Sequence, residues 1–210
     1  MKTVGLIRVV SGLPRELEEA HADLLQSEYP SLRVVTAAID GFPRGLYDPE
    51  LAERAVPAIL HVAESLAPRV DALAVSCADD PGVAELRQLY PKPVLGAGAS
   101  LAAACLALGG KVGVLTMTTH LPCALGMRLE GRDFAWRHVP GVRDTTDLVA
   151  AREAILATAS QLIDAGCTVL ALACTGFSTT GTAAVLRERL SRTVLDPVLT
   201  MGAMLSACVQ

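Results

Sequence analysis

The chain has few aromatic residues and no excess of positive charge, and these two features exclude several classes of protein. Phe, Trp and Tyr make up 3% of its 210 residues although 51% are hydrophobic, so its apolar content is mainly Ala, Val and Leu. This composition is typical of an α/β protein and not of a disordered or fibrous chain. With 18 basic and 22 acidic residues, the net charge of −4 predicts no nucleic-acid partner and no anionic membrane surface.

Long uninterrupted apolar runs are also missing. Residues 93–110 and 165–186 carry no charge, but glycines interrupt both stretches and the second is rich in threonine. A helix that spans a membrane needs about 20 consecutive apolar residues, so neither stretch predicts one. The first residues enter a strand-like run without the layout of a signal peptide, which leads us to expect a cytoplasmic protein.

Patterns that bind metals or nucleotides are absent as well. No Cys-x-x-Cys pair occurs among the six cysteines. The four histidines are scattered along the chain: His21, His61, His120 and His138. These spacings predict neither a zinc site nor, in a cytoplasmic protein, a disulfide framework. Residues 96–98 read Gly-Ala-Gly but lack the rest of a dinucleotide fingerprint and a P-loop lysine, so we expect no metal and no cofactor.

What the chain does have is a duplicated apolar run that ends in a cysteine. Residues 71–77 read Asp-Ala-Leu-Ala-Val-Ser-Cys, and residues 168–174 read Thr-Val-Leu-Ala-Leu-Ala-Cys. Because 174 − 77 and 168 − 71 both give 97, the two runs align without a gap. Duplicated strands that each end in a thiol suggest that Cys77 and Cys174 face one another. Such a pair can remove a proton from one face of a carbon and return it to the other.

The duplication extends along the chain and predicts the fold. Each half can be divided into strand, helix, strand, helix, strand with cysteine, helix and short strand. The predicted strands are residues 3–10, 32–39, 71–77 and 93–95 in the first half, and 111–117, 133–139, 168–174 and 193–195 in the second. Apolar strands that alternate with helices indicate an α/β fold with parallel sheets covered on both faces.

The two halves of the duplication meet near residues 96–100, and this division predicts two domains. The first comprises residues 1–97 plus 198–210 and the second residues 98–197, because the last helix, about 199–208, is expected to pack back on the first half. Further helices are predicted over residues 48–67 and 147–165. In parallel sheets the reactive residues gather where strands end, so both cysteines should lie across a cleft between the domains.

The chemistry of the two thiols depends on their ionisation. A free thiol with a pKa near 8.5 is only about 3% thiolate at pH 7, and we expect the N–H groups at the following helix starts to lower that pKa. A thiolate opposite a thiol is then a base and an acid whose roles exchange for the mirror-image substrate. No cofactor is needed if the carbanion is delocalised into a neighbouring carbonyl whose oxyanion those N–H groups hold.

Several neighbours of the thiols are candidates for substrate binding. The predicted binding residues are Ala78, Asp79, Thr118, Thr175 and Gly176. Asp79 and Thr118 could equally belong to ordinary solvated turns. Asp80, which precedes Pro81, is most simply the N-cap of a helix. The other four cysteines have no matched partner and are interpreted as structural: Cys105, Cys123, Cys167 and Cys208.

With these residues identified, the chain resembles the aspartate/glutamate/hydantoin racemase superfamily, and within it the hydantoin and allantoin racemases. Residues 77–82 read Cys-Ala-Asp-Asp-Pro-Gly, similar to the Cys-x-Asp-Asp-Pro-Gly stretch of those enzymes. Residues 173–176 read Ala-Cys-Thr-Gly, similar to their Gly-Cys-Ala-Gly, and residues 196–198 match their Asp-Pro-Val. The resemblance implies two pseudo-symmetric, flavodoxin-like domains with the active site between them. It also implies a cofactor-independent two-base mechanism with Cys77 and Cys174 as catalytic bases, and a homo-oligomer.

The departures from that pattern bear on the substrate and leave alternatives open. Hydantoin racemases generally carry Asn-Pro-Asn after the first strand, where residues 8–11 here read Arg-Val-Val-Ser. They also carry a Ser-Ile-Glu-like segment before the second helix, where residues 43–46 here read Pro-Arg-Gly-Leu. The resemblance implies that both segments line the substrate pocket. Gly176 stands where glutamate racemases have histidine, which argues against that branch. Arylmalonate decarboxylases retain only the second cysteine, so the presence of Cys77 argues against decarboxylation. A maleate-type cis–trans isomerase with a cysteine nucleophile remains an alternative. A third interpretation is a non-enzymatic module that binds a small molecule or senses thiol oxidation.

Overall fold

The computed structural model describes residues 1–209 and contains two four-stranded parallel sheets. The first sheet consists of β1 (Lys2–Arg8), β2 (Leu32–Ala38), β3 (Ala72–Ser76) and β4 (Val94–Gly96). The second consists of β5 (Val112–Thr116), β6 (Phe134–His138), β7 (Val169–Leu172) and β8 (Thr193–Leu195). The strand orders β2-β1-β3-β4 and β6-β5-β7-β8 are equivalent. The predicted α/β fold is confirmed, and every predicted strand lies within two residues of its expected bounds.

The helices lie on the faces of these sheets. In the first half they are α1 (Arg15–Glu28), α2 (Pro49–Leu66), α3 (Val83–Leu89) and α4 (Ala97–Leu108). In the second half they are α5 (Cys123–Leu129), α6 (Arg152–Asp164), α7 (Gly176–Thr179), α8 (Thr182–Leu190) and α9 (Pro197–Cys208). Within residues 1–209, none of these helices has both the length and the apolar character needed to cross a membrane.

The start of α6 differs from the prediction. The apolar spacing predicted a helix over residues 147–165, but α6 begins only at Arg152. Asp144 accepts a hydrogen bond from the N–H of Thr146 at 2.9 Å and begins a 3₁₀ turn, Thr145–Asp147, instead. The first part of the expected helix is therefore a loop, and this loop contributes to the wall of the site.

The helices that follow the last strand of each half, α4 and α9, pack on the sheet of the other half. In α9, three buried side chains join the core of the first sheet: Val198, Met201 and Leu205. In α4, three buried side chains join the core of the second sheet: Leu101, Ala102 and Cys105. The proposed domain bounds, residues 1–97 plus 198–210 and residues 98–197, stay a prediction, and Gln210 lies outside the described residues.

Candidate functional site

Both cysteines of the duplicated run line one cavity between the two halves. Cys77 follows β3 and Cys174 follows β7, strands that hold the same place in their sheets. The cavity has a volume of about 40 Å³, which is room for a few water molecules. Four of the predicted binding residues also lie on its wall: Ala78, Asp79, Thr118 and Thr175. The fold therefore brings together two thiols that are far apart in the sequence.

Other parts of this wall come from the two segments in which the chain departs from hydantoin racemases, residues 8–11 and 43–46, and from Met117 and Thr145, which the sequence did not predict. Val10, Leu46 and Met117 supply apolar surface, and Gly45 and Thr145 come from two loops that meet over the cavity. These residues follow strand ends of both sheets, which is the general position of ligand sites in parallel sheets. Strand-end position is the signal that could have selected Met117 and Thr145 as well.

A backbone N–H group two residues further along the chain acts on each sulfur atom. The N–H of Gly176 donates to Sγ of Cys174 at 3.3 Å. The N–H of Asp79 acts to lower the pKa of Cys77. Each donor lies two residues after its cysteine. Because an N–H group stabilises a thiolate more than a thiol, these donors favour the charged form that acts as a base. Gly176 thus contacts the candidate catalytic sulfur, although it is not part of the cavity wall.

Burial nevertheless outweighs these donors. It raises the pKa of Cys174 to about 11 and the pKa of Cys77 well above its usual value, because a thiolate enclosed by protein loses its hydration. The nearby carboxylate of Asp79 opposes ionisation of both sulfur atoms and shifts each pKa in the same direction. The prediction of lowered thiol pKa values is therefore wrong. Both thiols are protonated at neutral pH.

The rate of alkylation of Cys174 is expected to increase about tenfold per pH unit between pH 7 and pH 9. The thiolate is the reactive form, and its population grows tenfold per unit while the pH stays well below a pKa of about 11. Labelling with iodoacetamide at several pH values, followed by mass spectrometry of the Cys174 peptide, measures this slope. The exposed Cys123 serves as an internal reference for the reagent. A rate that levels off below pH 8 would contradict the raised pKa.

Asp79 joins the two halves at the edge of the cavity. Its Oδ1 accepts a hydrogen bond from the N–H of Cys123 at 2.7 Å, and its Oδ2 lies 3.6 Å from Nε2 of His120. Both partners belong to the second half of the chain. The structure thus places Asp79 on the cavity wall with one oxygen already bonded, while its role towards a substrate stays a prediction.

Asp80 does not begin α3, as the sequence predicted, but holds the first turn of α4. Its two carboxylate oxygens accept hydrogen bonds from the N–H groups of Gly98 and Ala99, both at 2.7 Å. Burial raises the pKa of Asp80 to about 6, although these two donors act in the opposite direction. Helix α3 begins instead after Gly82, which has a φ of 72°. The loop that carries Cys77 is therefore anchored to α4.

Two equivalent loops meet above the cavity through an ion pair. Nε of Arg44 donates to Oδ2 of Asp144 at 2.6 Å, and these residues lie in the β2–α2 and β6–α6 connections. The hydroxyl of Thr146 and the Arg44 guanidinium lower the pKa of Asp144, so its carboxylate is charged at neutral pH. This contact joins the loops that carry Gly45 and Thr145, two residues of the cavity wall.

A larger cavity of about 320 Å³ adjoins the first one. The two share Val10, Thr145 and Thr175 on their walls. Arg8, the last residue of β1, lines the larger cavity together with Gly176. Among the residues predicted to bind substrate, only Thr175 and Gly176 reach this space.

A buried histidine contacts two side chains on the wall of the larger cavity. Nδ1 of His21 lies 2.8 Å from Oγ of Ser76, the residue before Cys77, and its Nε2 lies 2.8 Å from Oγ1 of Thr179. Burial lowers the pKa of His21 well below its usual value, so the imidazole is neutral and joins the two halves through hydrogen bonds alone. In the described part of the chain, no cluster of three or more His, Cys, Asp and Glu residues is placed to hold a metal ion.

Comparison with protein-family models gives one match. A family model described as Asp/Glu/Hydantoin racemase matches residues 13–204, which is most of the chain. Comparison with curated proteins gives no match. The predicted resemblance to this superfamily is confirmed by the family match.

Comparison with solved structures shows the same fold in several enzymes. Allantoin racemase from Pseudomonas fluorescens has a TM-score of 0.84 at 20% identity, and the match covers 98% of this chain and 89% of that one. Allantoin racemase from Klebsiella pneumoniae has a TM-score of 0.78 at 19% identity, covering 99% and 87%. Maleate isomerase from Pseudomonas putida S16 has a TM-score of 0.70 at 16% identity, covering 98% and 92%. At these identities the similarity establishes a shared fold.

Proposed function

Because the chain belongs to the Asp/Glu/hydantoin racemase family and is an isomerase of the racemase class, we propose that it racemises a hydantoin-like or amino-acid-derived carbon acid by two-base proton transfer. One observation carries the proposal: Cys77 and Cys174 line the same cavity from opposite halves of the molecule. Sγ of Cys174 accepts a hydrogen bond from the N–H of Gly176, and the N–H of Asp79 acts to lower the pKa of Cys77. Two equivalent groups suit a reaction whose substrate and product are mirror images.

In the proposed reaction one sulfur acts as a base and the other as an acid. The thiolate removes the proton from the stereocentre, and the opposite thiol donates its proton to the other face of the carbon. The electron pair of the broken C–H bond is delocalised into the adjacent carbonyl until the new C–H bond forms. N–H groups near Ala78 and Thr175 would stabilise the oxyanion of this enolate. At the end the thiol and the thiolate have exchanged places, and no cofactor takes part.

The raised thiol pKa values give this scheme a pH dependence. With a pKa of about 11, only about one Cys174 side chain in 10⁴ is a thiolate at pH 7. That rare thiolate is a strong base, which suits proton removal from a weak carbon acid. The proposed activity therefore increases as the pH rises from 7 towards 9.

Proton exchange in D₂O tests the proposal. Single enantiomers of several 5-substituted hydantoins, of aspartate and of glutamate are incubated with the enzyme, and loss of the stereocentre proton signal is followed by NMR. Chiral chromatography of the same samples reports racemisation. An enzyme-free sample is the control, since hydantoins racemise slowly unaided. We expect enzyme-dependent exchange with inversion for at least one of these substrates; its absence for all of them would refute the proposal.

A second candidate function is cis–trans isomerisation of a dicarboxylate such as maleate. It is favoured by the same pair of thiols, because a thiolate can add to a polarised double bond, permit rotation and then leave. The fold similarity to a maleate isomerase is consistent with it. Mass spectrometry of the enzyme incubated with maleate distinguishes the two functions, since a covalent adduct on Cys77 or Cys174 is expected only for isomerisation.

A further inference from the structure

The larger cavity beside the thiols contains one buried positive charge on its wall and no negative charge. Arg8 is only 4% exposed and ends β1, where it faces this space of about 320 Å³. The rest of the wall is apolar or carries hydroxyl groups, from residues such as Thr179 and Thr180. A charge removed from water is unfavourable unless a partner of opposite charge or enough hydrogen bonds compensate it.

The protein itself compensates this charge only in part. Nη1 of Arg8 donates to the carbonyl oxygens of Leu17 and Glu18 at 3.2 and 2.8 Å. Within residues 1–209, Nε and Nη2 make no hydrogen bond, and no carboxylate lies within ion-pair distance. Glu18 and Glu19 act on the guanidinium only from farther away. Burial lowers the pKa of Arg8 to about 10, so the group still carries its charge at neutral pH.

The groups around Arg8 supply hydrogen bonds without supplying charge. His21 is neutral, and its two ring nitrogens are already paired with hydroxyl groups. Thr145 and Thr175 belong to the walls of both cavities. The two threonines therefore stand between the space beside the thiols and the space beside the guanidinium.

We propose that Arg8 binds an anionic group of the substrate, so that the substrate is a carbon acid with a carboxylate remote from its stereocentre. This inference rests on the proposed racemase function for the reacting centre and specifies the substrate class. A carboxylate can accept two parallel hydrogen bonds from the guanidinium, and this planar geometry fixes its orientation as well as its charge. Hydantoins with an acetate or propionate side chain at C5 are carbon acids with such a remote carboxylate.

Equilibrium binding tests the role of Arg8 without requiring turnover. Single enantiomers of hydantoin-5-propionate and hydantoin-5-propionamide, which differ in charge and little in size, are compared by isothermal titration calorimetry. We expect the wild-type enzyme to bind the propionate roughly 10- to 100-fold more tightly, as for a hydrogen-bonded charge pair. Arg8→Gln should remove most of this preference, and Arg8→Lys, which keeps the charge, should retain part of it.

A matched variant controls for the loss of an arginine in general. Arg187 also donates to a backbone carbonyl, that of Val194, but it is not part of either cavity wall. Arg187→Gln should leave the preference for the propionate unchanged, and circular dichroism checks the fold of every variant. If Arg8→Gln does not fold, the wild-type preference and Arg8→Lys decide the question.

Each outcome separates this inference from the racemase proposal. Equal affinity of the wild-type enzyme for the two hydantoins would overturn the role of Arg8, even if both compounds exchange their stereocentre proton. A preference that persists in folded Arg8→Gln would overturn it as well. Tight binding of the propionate that Arg8→Gln abolishes, with no proton exchange on this or any other tested carbon acid, would support the anion site and reject racemisation.

Discussion

Replacing either Cys77 or Cys174 by serine is expected to lower racemisation of both enantiomers by a factor of about 10³ or more. A positioned acid or base contributes about 10²- to 10⁴-fold to a reaction, and a serine hydroxyl ionises far less readily than a thiol. Both enantiomers lose activity because each direction uses one cysteine as the base and the other as the acid. Chiral chromatography measures the loss of racemisation, and NMR in D₂O measures the loss of proton exchange at the stereocentre.

Proton exchange in D₂O is expected to differ between the two serine variants. The remaining cysteine can still remove and return a proton on its own face, so each variant should retain slow exchange for one enantiomer only, and the opposite one in the two variants. Cys208→Ser is the matched control, because Cys208 is exposed and lies outside the cavity. It should keep activity within about twofold of wild type. Full racemisation by either Cys77→Ser or Cys174→Ser would disprove the two-base mechanism.

The second large effect is expected from Gly98→Ala, which should destabilise the protein by about 3 kcal/mol. A Cβ at this position would overlap the carbonyl oxygen of Ala78, a backbone atom that cannot rotate away. The helix start cannot shift easily either, because Asp80 holds the N–H of Gly98. Overpacking of this kind costs about 1–3 kcal/mol, and a rigid backbone obstacle places this substitution at the upper end. For a chain of this size, the melting temperature should fall by about 6–12 °C.

Gly126→Ala is the matched control for this substitution. Gly126 lies in α5, and a Cβ there would meet only the side chain of Leu121, at 3.2 Å from Cδ2. Alanine is favoured over glycine in a helix by about 0.5–1 kcal/mol, so the control should be neutral or slightly stabilising. Thermal melting followed by circular dichroism measures both variants. An unchanged melting temperature for Gly98→Ala would show that the loop beside Cys77 is free to move.

The strands and the meeting of the two thiols could be predicted because both depend on local pattern and on one general rule. Apolar runs marked the strands, the offset between them marked the duplication, and parallel sheets place equivalent strand ends together. The ionisation of Cys77 and Cys174 could not be predicted in this way. The sequence shows which N–H groups follow each cysteine, but not that the sulfur atoms are enclosed, and enclosure is the larger effect on their pKa values.

The remaining errors concern partners that are distant in the sequence. The Asp80-Pro81 pair predicted the cap of the next helix, yet its carboxylate bonds to Gly98, 18 residues later. His21 gave no signal at all, since its partners lie 55 and 158 residues away. Arg8 lies in the segment 8–11 that the resemblance placed at the substrate pocket, but the sequence did not show that its guanidinium is buried against a second, larger cavity.

The packing of α4 and α9 on the sheet of the other half has a consequence for the newly synthesised chain. One face of the first sheet, which includes Val4 and Leu6, is completed only by α9. Ribosomes add about 5–20 residues per second, so the 100 or so residues that follow the first half take roughly 5–20 s to appear. During that time the amino-terminal half exposes apolar surface to whatever chaperones are present.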